Sequence, residues 1–200
     1  MPISSPSPPR EIFEAVRSSF GELSSKRAFG TPALRQADPR RLAVSDPHMV
    51  YTLGLRDIVD KRDLADAQFV GWRWLVQEGQ RTIASAEVGA GPYSGHGVSE
   101  INEGPFVRSS AEALEAAEKL PETRDGSYEP RLLKIPGIYL VALWLRPEEG
   151  GDDIFVVLPP APFDLKPNEP YRWAALQKLL APQARARLEF DDRPKPQRRK

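Results

Sequence analysis

The chain of 200 residues has no cysteine. Disulfides, thiolate nucleophiles and cysteine-based metal sites are therefore excluded. The absence suits a reducing compartment, and a cytoplasmic location is expected. Long apolar runs are also missing. The longest, at residues 138–145, has strand length, whereas a membrane-spanning helix needs about 20 apolar residues, so no membrane contact is expected. The opening MPISSPSPPREIFEAV lacks the apolar centre of a secretory signal. Net charge is absent too, because 28 Lys and Arg balance 28 Asp and Glu. Nucleic-acid binders usually carry a marked basic excess, so nucleic acid is not an expected partner. Histidine is scarce, with only His48 and His96.

Proline is abundant. The 21 prolines are about twice the usual share of roughly 5%, and they mark segment ends and stiffen connections. Residues 1–47 read as a Pro/Ser-rich N-terminal arm. Within it, residues 10–20 predict a short amphipathic helix with Ile12, Phe13, Val16 and Phe20 on one face. Packing on its own core is the structural reading of that face, and docking a partner is the functional one. Residues 22–47 show turn chemistry without a period. A single α+β domain is expected over residues 48–190. Residues 191–200 read as a basic tail, solvated and disordered.

The domain opens with MVYTL as a short strand, followed by one or two helical turns. FVGWRWLV and RTIASAEV, joined by QEGQ, alternate with period two and predict an antiparallel hairpin. SSAEALEAAEKL predicts a helix capped by Ser109 and Glu112. The same order then returns. LLKIPGIYLVALWL and the apolar IFVVL predict strands, and YRWAALQKLL predicts a helix with Pro170 in its first turn. Two hairpin–helix units make an antiparallel sheet of four or five strands, with the helices on one face and the N-terminal helical arm outside.

Chemistry-bearing motifs are incomplete. The Gly-rich stretch GAGPYSGHGVSEINEGP, residues 89–105, has a G-x-G start. It lacks the immediate helix of a phosphate-binding fingerprint, and no Gly-Lys-Ser/Thr follows. His96 lies between glycines, with Ser94, Ser99, Glu100 and Glu103 nearby. It is the candidate acid/base of a hydrolase-like alternative in which this stretch is a lid. The pattern G-x-S-x-G is not met, and an exposed loop histidine is the structural reading. Asp46, His48 and His96 lack the tight spacing of a zinc site, and the acidic turn at Glu148, Glu149, Asp152 and Asp153 lacks the ligand order of a calcium loop. No metal or other cofactor is expected. Trp72 and Trp74 share one strand face. They read first as core, and alternatively as an aromatic binding surface.

The leading expectation is a non-catalytic binding or assembly protein, acting through a protein partner or self-association. The alternative is a small-molecule-binding domain or hydrolase with the 89–105 lid and His96.

Overall fold

The computed structural model describes residues 3–26, 29–45, 47–90, 98–124 and 126–191. The N-terminal helix α1 (Arg10–Ser25) comes first. The short helix α2 (Pro32–Gln36), a 3-10 turn and strand β1 (Leu42–Val44) follow. Strand β2 (His48–Thr52), helix α3 (Leu55–Val59) and the long hairpin of β3 (Gln68–Glu78) and β4 (Arg81–Gly89) come next. Then come β5 (Glu100–Asn102) and α4 (Pro105–Ala117). Strands β6 (Tyr128–Ile135), β7 (Leu140–Pro147), β8 (Ile154–Val157) and β9 (Pro170–Arg172) lead into α5 (Trp173–Asp191).

The strands form one sheet in the order β5-β4-β3-β2-β6-β7-β8-β9, with β1 paired to β3. This corrects the expected antiparallel sheet of four or five strands. The fold is α+β, but the sheet has nine strands among the described residues and is mixed, because β2 and β6 run parallel. Three short strands escaped the period-two reading. Strands β1, β5 and β9 have three residues each, too few to show alternation. Strand β1 continues the track of β2 along β3: Val44 pairs with Val76, and His48 pairs with Arg73. Ser45 joins the two, its N–H donating to Leu75 O and its Oγ accepting from Leu75 N.

Helices cover both faces, which also differs from the expectation. On the first face, Ile12, Val16, Phe20 and Leu23 of α1 and Leu34 of α2 pack on Trp72, Trp74, Val76, Ala84, Ala86 and Val88. Further along that face, α3 and α5 place Ile58, Leu176, Leu180 and Ala184 on Leu133, Trp144, Phe155 and Val157. On the second face, Ala113 and Ala117 of α4 meet Val50, Leu132, Leu143 and Val156. A strand covered on both sides buries successive residues, and all four residues of β8 are buried.

Two helix starts move. Helix α4 begins at Pro105 behind Gly104, so Ser109 lies within it and donates to Pro159 O at 3.0 Å. Pro170 belongs to β9, and α5 starts after it at Trp173. Glu103 reaches back across the chain to accept from the free N–H groups of Ala33 and Leu34 at the start of α2, which anchors that short helix.

Candidate functional site

Three charges stand within largely apolar stretches of three strands: Arg73 in VGWRWLV, Glu87 in ASAEV and Lys134 in LLKI. Pairing brings these charges to one place. His48, Arg73, Glu87 and Glu100 are successive cross-strand partners across β2, β3, β4 and β5. His48 and Val50 share a face, and Val50 packs with α4, so this row lies on the α4 side. Lys134 is two residues from Leu132 on that same side. Lys134 and Glu87 are separated by β2 and β3, roughly 14 Å of sheet at usual strand spacing. Both side chains extend to meet.

Glu87 is shared unequally. Lys134 Nζ donates to both of its carboxylate oxygens at 2.7 Å. Arg73 Nε lies 3.8 Å from Oε1, beyond hydrogen-bond length. Arg73 is only 3% exposed, and its Nε has no hydrogen-bond partner among the described residues. Ser85, two residues before Glu87 on the same face, is 0% exposed, and its Oγ is likewise unpartnered. Burial pushes the Arg73 pKa down, while Glu87 and Glu100 act in the opposite direction. A guanidinium nevertheless stays charged in proteins.

His48 is buried, and its pKa falls to about 3, first through burial and then through the positive charges of Arg73 and Lys134. It is therefore a neutral imidazole at ordinary pH. The interior of the row then holds two cations and one carboxylate, with Glu100 exposed at its end. A buried charge left short of partners is costly. Chemically, the row can receive an acceptor group. It is not arranged as a serine–histidine pair, because such a pair requires a hydrogen bond to the hydroxyl and Ser85 Oγ makes none.

The residues singled out from the sequence lie elsewhere. Val16 and Phe20 are buried against the sheet, Ile12 is partly buried, and Phe13 is 41% exposed on the outer side of α1. Trp72 and Trp74 are buried beneath α1 and α2 rather than open on a sheet face. Residues 91–97 of the expected 89–105 lid, with His96 and Ser94, lie outside the described residues, as does Asp46, while Glu100–Asn102 of that stretch form β5 on the edge of the sheet. Most of the basic tail, residues 192–200, lies outside them as well. In the acidic turn, Asp153 accepts from Trp144 Nε1 at 2.6 Å, which gives it a structural task. Among the described residues, no group of three or more metal-ligating side chains comes together.

A hollow of about 420 Å³ opens beside α2, lined by Phe29, Leu34, Arg35, Asp38 and Glu78 among others. Glu78 is already engaged there by Asp38 N–H and the Arg81 guanidinium, both at 2.9 Å.

Sequence reasoning did not single out the charged row. The signal was present. Leu75 and Val76 are adjacent and both apolar, which marks a strand covered on both faces, and a lone charge within such a strand is a buried one. Comparison of the chain with family models, with curated proteins and with solved structures finds no match.

Proposed function

We propose that this protein is a small-molecule-binding domain whose ligand occupies the charged row beneath α4. The observation that carries the reading is Arg73, a buried guanidinium whose nearest carboxylate oxygen belongs to a residue already held by Lys134. Folding alone gives no reason to bury such a group, since an apolar side chain of similar volume is often neutral or stabilising in its place. Ser85, buried beside it and without a partner among the described residues, supports the same reading. A ligand that binds the folded chain raises its melting temperature by mass action. Thermal unfolding against a panel of small acids, amines and neutral sugars tests the reading. At least one class should raise the Tm of the wild type and leave that of Arg73→Met unmoved. A panel that never separates the two proteins would refute it.

Assembly with a protein partner or another copy of the chain is the second reading. It is favoured by large apolar side chains on the outer sides of two helices, Phe13 on α1 and Leu179 and Phe190 on α5. Val16 and Phe20 are not available for it without unpacking α1. Light scattering across a concentration series, repeated on Leu179→Ser, checks this reading. It predicts an oligomer in the wild type that weakens in the variant.

A further inference from the structure

We infer that the group received on the row is a single oxyanion, the phosphate or carboxylate of a small molecule, bound by Arg73 with Ser85 donating beside it. The inference rests on the binding reading above and specifies its chemistry. The unpartnered groups argue for it first. Arg73 offers only donors, and Ser85 can donate through its hydroxyl, so the missing partner is an acceptor. The guanidinium fork matches a carboxylate or phosphate through two parallel hydrogen bonds.

Charge is the second argument. Arg73 and Lys134 face one partly buried carboxylate, Glu87, and His48, held neutral by its surroundings, adds none. With exposed Glu100 at its end set aside, the row has one positive charge in excess. A cationic ligand would add a third cation, and a neutral one would leave Arg73 with only the 3.8 Å approach of Glu87 and the field of exposed Glu100. One anionic group closes the balance, whereas several would meet Glu87.

Position is the third argument. Arg73 and Glu87 are cross-strand partners, and Ser85 lies two residues from Glu87 on the same face, so Ser85 is the diagonal neighbour of Arg73 and within reach of a shared ligand. Glu87 acts as the internal anion of the site. It satisfies Lys134 with both oxygens and leaves Arg73 wanting. The Lys134 side chain keeps 27% of its surface exposed, so the row reaches solvent at that end.

Calorimetric titration of the full chain at low ionic strength tests the inference. The probes are inorganic phosphate, acetate, glucose and methylamine. Phosphate, acetate or both should bind at one site, and the preferred anion identifies the source of the oxyanion. Arg73→Met and Ser85→Ala should each weaken that binding by about tenfold or more, the value of a lost charge-assisted hydrogen bond. Glu87→Gln should tighten it, because the internal competitor loses its charge. If Arg73→Met does not fold, Ser85→Ala and Glu87→Gln carry the test. Anion binding indifferent to all three substitutions overturns the inference. Arg73-dependent binding of glucose or methylamine with none of either anion overturns it and leaves the binding reading standing. No binding of any probe, together with a silent thermal panel, removes both.

Discussion

Trp72, Trp74 and Val76 leave one side of β3, while Gly71, Arg73 and Leu75 leave the other. Strand β4 repeats the contrast, with Ala84, Ala86 and Val88 opposite Ser85 and Glu87. Each side contains a buried polar atom without a partner among the described residues, Trp74 Nε1 on one and Arg73 Nε with Ser85 Oγ on the other. The atoms are alike in geometry and different in consequence. An unpaired indole N–H costs about 1–3 kcal/mol, and the large apolar surface that tryptophan buries offsets it. Arg73 carries a full charge and has only its stem to bury. The aromatic side is therefore explained by folding. The charged side is not, which is why function is sought there.

The comparison breaks most readily on the aromatic side. Trp74→Ala should cost about 3–5 kcal/mol, through lost burial and an unfilled cavity, read from denaturant unfolding. A cost below about 1 kcal/mol would mean that α1 and α2 do not rely on this face. On the other side, Glu87→Gln should cost about 3 kcal/mol, since it strands two cations of which one is fully buried. Replacing Arg73, Lys134 and Glu87 together by methionine should recover much of that loss. A triple variant less stable than Glu87→Gln would make the row a stabilising network and remove the case for a ligand.

Acid provides a third test. His48 is neutral in the folded chain down to about pH 3, whereas in the unfolded chain it takes up a proton near pH 6.5. The unfolded state then binds more protons between these values, and stability falls as pH falls through that window. The loss should be roughly 2 kcal/mol between pH 6 and 4.5. His48→Gln, which still faces Arg73 and Lys134, should flatten that part of the profile. An unchanged slope would place the acid sensitivity elsewhere. The smallest effect concerns α5. Leu179→Ser should change the stability of the monomer by less than about 0.5 kcal/mol, so any larger shift would report self-association.

Much of the fold was legible where patterns were long. The β3–β4 hairpin, α1 and the apolar β8 follow directly from periodicity and turn residues. Strands of three residues do not, because alternation needs more positions than they have. The parallel pairing of β2 with β6 was hidden as well, since nothing local to either strand specifies a partner some 80 residues away. The charged row was half legible. Arg73, Glu87 and Lys134 each stand within a largely apolar stretch of their strand, but their meeting depends on sheet order, and so does the unequal sharing of Glu87. Trp72 and Trp74 lie on one face of β3, and α1 and α2 cover that face.

The most direct measurement is the ¹⁵N-resolved Nε–H resonance of Arg73, assigned by its loss in Arg73→Met, followed as phosphate and then acetate are added. The account predicts that it moves downfield and exchanges more slowly with one of these anions, while the resonances of exposed arginines such as Arg10 do not. An Arg73 signal that stays still, or that moves only together with the exposed arginines, would contradict a ligand site on the charged row.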